Sequence, residues 1–91
     1  MSNKLLTTEE LFDLSISKIN NIKNITICDD DKLYLYGYYK QAKNGDCKIE
    51  KPFFYKITDN KKYLAWKERE GINKDLAMKC YIKKVKQLLE K

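Results

Sequence analysis

The sequence predicts an all-α protein, a single domain over residues 1–91 built from four helices. Three observations lead there. Apolar residues recur at spacings of three and four in four separate stretches, which is the helical period. No stretch alternates apolar and polar residues well enough to make a strand. The turn formers Asn44-Gly45, Pro52 and Gly71 fall between those stretches. Ninety-one residues, 43% of them apolar, supply one core of modest size.

The first helix opens at Thr7-Thr8-Glu9-Glu10, where Thr7 and Glu10 have capping-box spacing and the acids suit the positive helix end. Phe12, Ile16 and Ile19 carry the apolar period, with Leu11, Ser15 and Ile22 alongside, to about Lys23. Asn20, Asn21 and Asn24 weaken its end, and residues 24–28 read as a loop. Asp29-Asp30-Asp31 supplies a cap and negative charge for the second helix. A calcium loop would need further oxygen ligands at set spacings and a closing glutamate, which are missing.

The second helix is the most distinctive stretch. Residues 33–46 hold four of the seven tyrosines and end at Asn44-Gly45, where glycine tolerates the left-handed turn. Leu33, Tyr36 and Lys40 share one face, with Tyr39 beside Tyr36. That face is apolar at one end and bears a phenol and an ammonium at the other, which suits a ligand both greasy and phosphorylated. Residues 45–58 form the longest irregular segment and contain Pro52-Phe53-Phe54-Tyr55. Loop aromatics are seldom left in water, so these three are expected to pack down on the bundle. Asp59 or Asn60 can cap a short third helix through Lys62, Tyr63, Trp66 and Arg69, ended by Gly71. Asn73 caps the fourth, in which Met78, Ile82, Val85 and Leu89 form a stripe beside Tyr81 and Leu88.

Nineteen basic against thirteen acidic residues give a net charge of +6. All but Arg69 of the basic residues are lysines, point charges and not guanidinium forks. Such a surface attracts phosphate-bearing partners, whether nucleotide, nucleic acid or anionic lipid; a coding bias toward lysine would produce part of the same surplus. The chain has no histidine, which excludes Ser-His and Cys-His triads, and no C-x-x-C pair, so a zinc site lacks support. Cys28, Cys47 and Cys80 read as scattered reduced thiols. No apolar run reaches the roughly 18 residues of a transmembrane helix, and Met1-Ser2-Asn3-Lys4-Leu5-Leu6 lacks the apolar core of a secretory signal. A cytoplasmic location is the expectation.

Within the run 33–46, Leu35-Tyr36 to Gly45-Asp46 closely resembles the signature of the acyl-CoA-binding protein family, L-Y-x-x-Y-K-Q-A-x-x-G-D. The likeness extends through Lys51-Pro52, Ala65-Trp66, Ala77-Met78, Tyr81-Ile82 and Val85, from about Phe12 to Lys91. It implies an up-down-down-up four-helix bundle, which periodicity alone does not give. It also implies a non-enzymatic intracellular carrier of long-chain acyl-CoA esters, with no cofactor beyond that ligand, expected to be monomeric and not to bind nucleic acid. By this resemblance Lys40 and Lys62 take the 3′-phosphate with the Tyr36 hydroxyl assisting. Tyr39 and Tyr81 wall the adenine, Ile16 touches it, and Leu33 faces the acyl chain. The competing expectation is a basic helical module for nucleic acid or an anionic membrane, although the lysines are spread along the chain rather than clustered.

The sequence departs from the family pattern at several places. Asn20 stands where a first-helix lysine is common, with Lys18 and Lys23 nearby. The usual proline before the second helix is replaced around Ile27. Phe53 replaces the glycine after Lys51-Pro52, and Tyr63-Leu64-Ala65-Trp66 stands for W-D-A-W. Lys32 occupies a position where an apolar residue near the acyl chain is usual.

Overall fold

The computed structural model describes residues 5–22 and 26–90. Its four helices are α1 (Thr8–Asn21), α2 (Asp29–Asn44), α3 (Ile57–Lys67) and α4 (Lys74–Leu89), with no strand among the described residues. Four helices and no strand make the expected all-α bundle.

Local chemistry sets most of the boundaries. Thr7 caps α1 in a reciprocal box: the Glu10 N–H donates to Thr7 Oγ1 at 3.1 Å and the Thr7 N–H to Glu10 Oε1 at 2.9 Å. α1 stops at Asn21, and Lys23, where the periodicity predicts its end, lies outside the described residues. Cys28, not an aspartate, occupies the N-cap of α2, and it makes no side-chain capping bond. Asp29, Asp30 and Asp31 form the first turn, where their charge meets the helix dipole. α3 begins at Ile57, ahead of the expected Asp59 or Asn60 cap. Asn60 closes the preceding loop instead, donating from Nδ2 to the carbonyls of Phe53 (2.7 Å) and Lys56 (2.9 Å). α4 has the expected cap, Asn73 Oδ1 accepting the Leu76 N–H at 2.7 Å.

Side-chain pairings give the helix directions. Tyr36 meets Lys62 and Lys40 meets Trp66, so α2 and α3 run parallel. Asp31 pairs with Lys84 while Tyr39 lies against Tyr81, so α4 runs antiparallel to α2. Glu9 and Phe12 share a hollow with Lys74 and Met78, and Lys18 shares another with Lys86 and Leu89, so α1 parallels α4. The order is up-down-down-up.

Packing among the described helices is sparse and specific: α4 contacts α1 and α2, and α3 contacts α2 alone. The backbones of α1 and α2 stay apart, both leaning on α4. The core holds Phe12, Leu35, Ala42, Ala77, Tyr81, Val85 and Leu88. α4 therefore buries the 77/81/85/88 line, and the expected Met78, Ile82 and Leu89 pack half-buried at its flank. Ala77, the smallest residue of α4, is fully buried where that helix is wedged between its two partners.

α3 sits flush on α2 because position 37 is glycine. A Cβ there would run into the Ala65 carbonyl and crowd Arg69 Nε. Gly37→Ala should therefore destabilise the fold by about 1–3 kcal/mol, the usual cost of overpacking, despite alanine's better helix propensity. Thermal denaturation checks this; an unchanged or raised melting temperature would show that α3 can shift freely.

Candidate functional site

The gap between α1 and α2 is a hollow of about 420 Å³ floored by α4. Ile16, Ile19, Leu35, Tyr39 and Tyr81 line it, with Asn20, Lys32 and Tyr36 also on its wall. A second hollow of about 460 Å³ lies between α2, the 49–56 loop and α3, where Tyr36, Lys51, Lys56 and Lys62 meet. Tyr36 belongs to both. A third, shallower cleft of about 280 Å³ runs between α2 and α3, lined by Leu33, Lys61, Leu64 and Ala65 among others. Lys61 and Lys62, adjacent in the chain, join its edge to the second hollow.

The expected site residues distribute over this surface. Ile16, Tyr39 and Tyr81 converge on the first hollow. Tyr81 is only 5% exposed: its ring packs edge-on to Phe12 (5.1 Å between centroids) and lies 6.4 Å from Tyr39. Leu33 stands apart from them, in the α2–α3 cleft. Lys62 Nζ lies 5.6 Å from the centre of the Tyr36 ring, and Lys40 Nζ lies 4.9 Å from that of Trp66. Each ammonium thus rests on an aromatic face, and neither has a carboxylate partner within 4 Å among the described residues. Trp66 is fixed in turn by its indole N–H, which donates to the Gly45 carbonyl at 2.8 Å.

Burial, then the neighbouring Cys47 and Asp59, holds the Tyr36 hydroxyl above the usual phenol range. Burial first and Tyr39 second do the same for Tyr81. Both phenols remain protonated, hence hydrogen-bond donors, throughout the neutral range.

Asn20, where the family commonly has lysine, is on the wall of the first hollow. Lys18 cannot replace that cation, because it lines the groove between α1 and α4 with Leu14 and Leu89. Lys32 does reach the hollow, from the first turn of α2. Ile19 and Leu35 also line the hollow without having been expected there; their three- and four-residue spacings to Ile16 and Tyr39 are the signal that could have placed them. Ile27 and Lys56, on irregular segments, carried no such signal. The expectation that Phe53-Phe54-Tyr55 packs on the bundle is overturned: they are 67%, 91% and 63% exposed. Their tight turn points the rings outward, where they pack on one another.

An aromatic hollow beside a lysine-lined one, on a small helical bundle, marks a binder of amphipathic nucleotide-like ligands. Comparison with known proteins makes the class definite. The family model described as Acyl CoA binding protein matches residues 9–85. Acyl-CoA-binding domain-containing protein 2 of rice (Oryza sativa subsp. japonica) is 51% identical over 65 residues, 71% of each chain. Acyl-CoA-binding domain-containing protein 6 of Arabidopsis thaliana is 40% identical over 82 residues, covering 90% of this chain and 88% of that one. The crystal structure of Oryza sativa Acyl-CoA-Binding Protein 2 superposes with a TM-score of 0.86 at 43% identity, covering 92% of each chain. The chain belongs to the acyl-CoA-binding protein family.

The signature residues Gln41 and Asp46 do no work in the hollows. Gln41 Nε2 donates to Asp46 Oδ1 and to the Ile72 carbonyl, both at 2.8 Å, and the Gly71 N–H donates to Asp46 Oδ1 at 2.8 Å. The Gly71 N–H first, and the Gln41 amide second, lower the Asp46 pKa below the usual carboxylate value. A carboxyl whose pKa is depressed on folding contributes stability above its unfolded value, and loses it as pH falls through the folded one. Asp46→Ala should therefore lower the melting temperature at neutral pH, with the gap to wild type narrowing as the pH falls below the ordinary carboxylate range and through the depressed Asp46 pKa. A gap that stays constant with pH would show that Asp46 acts without its charge.

Proposed function

We propose that this chain binds long-chain acyl-CoA esters with high affinity and serves as an intracellular, cytoplasmic carrier and pool former, acting as a monomeric binder and not as an enzyme. Family membership supports acyl-CoA as the ligand class. The observation that carries the reading is the pair of hollows sharing Tyr36, one walled by Tyr39, Tyr81 and Ile16 and the other by Lys62.

In this reading the adenine enters the first hollow, walled by Tyr39 and Tyr81, and touches Ile16. Base stacking on aromatic side chains is worth about 1–3 kcal/mol. Lys40 and Lys62 take the 3′-phosphate, and the Tyr36 hydroxyl donates to it. Lys32 supplies from α2 the cation that Asn20 no longer supplies from α1. The acyl chain lies along the α2–α3 cleft at Leu33 and Leu64, gaining roughly 0.8 kcal/mol for each methylene buried. The chain then supplies most of the affinity, and the lysines choose the headgroup.

Calorimetric titration tests this directly. Palmitoyl-CoA should bind at least about a thousandfold tighter than free CoA, a gap of roughly 4 kcal/mol. Equal affinity for the two would remove the acyl subsite from the proposal.

Lys40 isolates the phosphate contribution. Truncating one partner of a shielded charge pair costs about 2–5 kcal/mol, so Lys40→Ala should weaken palmitoyl-CoA binding by roughly thirtyfold to several thousandfold. The melting temperature should change little. Palmitoyl-dephospho-CoA, which lacks the 3′-phosphate, should bind weakly to wild type and lose far less on mutation. Unchanged binding of both ligands would make Lys40 ordinary helix surface.

A further inference from the structure

Three adjacent aromatics stand in water at the tip of one tight turn. The Lys56 N–H donates to the Phe53 carbonyl at 2.9 Å, which makes Phe53 and Lys56 the ends of a four-residue turn with Phe54 and Tyr55 at its centre. Asn60 grips the same two carbonyl ends from α3. Phe54 is 91% exposed and Tyr55 63%, and Ile57, the first residue of α3, is 65% exposed beside them. The Phe53 and Tyr55 rings stack at 5.7 Å and 3°, so the tip is a preformed apolar wedge.

Lysines stand beside the wedge: Lys51, Lys56 and Lys62 line the hollow that Phe53 also lines, with Glu50 and Asp59 among them. Between residues 48 and 63 there are five lysines (48, 51, 56, 61 and 62) and two acids, Glu50 and Asp59. Exposed apolar patches rimmed by polar residues mark interaction surfaces. Aromatic rings favour the headgroup level of a bilayer, and clustered lysines favour an anionic leaflet. A preformed turn also gives up little conformational freedom when its tip is buried.

We propose that the Phe53–Lys56 turn is a membrane-docking tip, inserting Phe54 and Tyr55 into the interface of an anionic bilayer while the neighbouring lysines hold the headgroups. Phe53 and Lys56 also line the lysine hollow, so docking brings that hollow's rim to the lipid surface. The binding surface does not depend on the ligand assignment above, and it can be tested on the ligand-free protein.

The test is co-sedimentation of the full chain with phosphatidylcholine vesicles, with and without phosphatidylserine. Wild type should partition onto the phosphatidylserine vesicles and much less onto phosphatidylcholine alone, with binding that weakens as salt is raised. Phe54→Ser combined with Tyr55→Ser should cut that partitioning by about tenfold or more. Circular dichroism checks that the double variant is folded, and calorimetry with palmitoyl-CoA checks that it still binds, since neither residue lines a hollow. Insertion itself is read with Phe54→Trp, whose added fluorescence should be quenched by brominated lipid while the buried Trp66 is spared. Equal binding of wild type and double variant to anionic vesicles would overturn the proposal. So would an unquenched Trp at position 54. A third overturning result is a wild-type dimer that the double variant abolishes without any change in vesicle binding, which would make the tip a contact between copies of this chain.

Discussion

The bundle hangs on one small polar latch. Gln41, 1% exposed near the end of α2, donates both to Asp46 in the following loop and to the Ile72 carbonyl in the α3–α4 connection, and the Gly71 N–H joins at the same carboxylate oxygen. Three chain segments are tied at one point. α3 has no helix but α2 to lean on among the described elements, and the latch adds to the Trp66–Gly45 bond in holding its far end. Gly45, at φ 79°, makes the geometry possible. It lets the chain leave α2 with its N–H still bonded to the Gln41 carbonyl, and turns its own carbonyl toward the Trp66 indole. The Q-A-x-x-G-D end of the signature is thus an architectural device, whereas in the Y-x-x-Y-K part the two tyrosines face the hollows and Lys40 lies over Trp66 beside them.

That division explains why the same helix can be core and site at once. α2 buries Leu35 and Ala42 against α4 and places Gly37 against α3, leaving Tyr36, Tyr39 and Lys40 on the boundary. Tyrosine suits a boundary, because the ring packs while the hydroxyl stays available. Aromatic rings hold the lysines as well. Lys62 lies over Tyr36 and Lys40 over Trp66, so two flexible stems are restrained before any anion arrives. Both braces span α2 and α3, and the parallel pairing of these helices sets the spacing between the two ammonium groups.

The helices are legible because burial and periodicity coincide in them. The Thr7 box, the Asn44-Gly45 stop and the Asn73 cap are local chemistry, readable from neighbours in sequence. Structure and expectation part where the partner is distant or where a residue is used twice. Asn60 has the look of a cap, yet its amide closes the loop from Phe53, seven residues earlier. The buried line of α4 shares Val85 with its apolar stripe but elsewhere lies one position earlier, since Ala77 gives too weak an apolar signal to reveal that it is the most buried residue of the helix. Leu33 shares a helical face with Tyr36, but the α2–α3 cleft and the α1–α2 hollow open on different sides of α2. Periodicity cannot tell which neighbour a face will meet.

The aromatic turn departs from expectation for a more general reason. Hydrophobic side chains are usually inside, but the rule runs one way only, and an exposed cluster is the informative case. Residues 53–55 belong neither to the latch nor to the core cluster. Their turn is closed by backbone and Asn60 hydrogen bonds that any side chains at positions 54 and 55 would leave intact. The fold therefore places no demand on the identity of those two residues. A phenylalanine and a tyrosine at a position where solubility alone would favour polar groups must be explained by something outside the fold. The wedge and the lysines beside it make that explanation a surface, one that is both apolar and anionic.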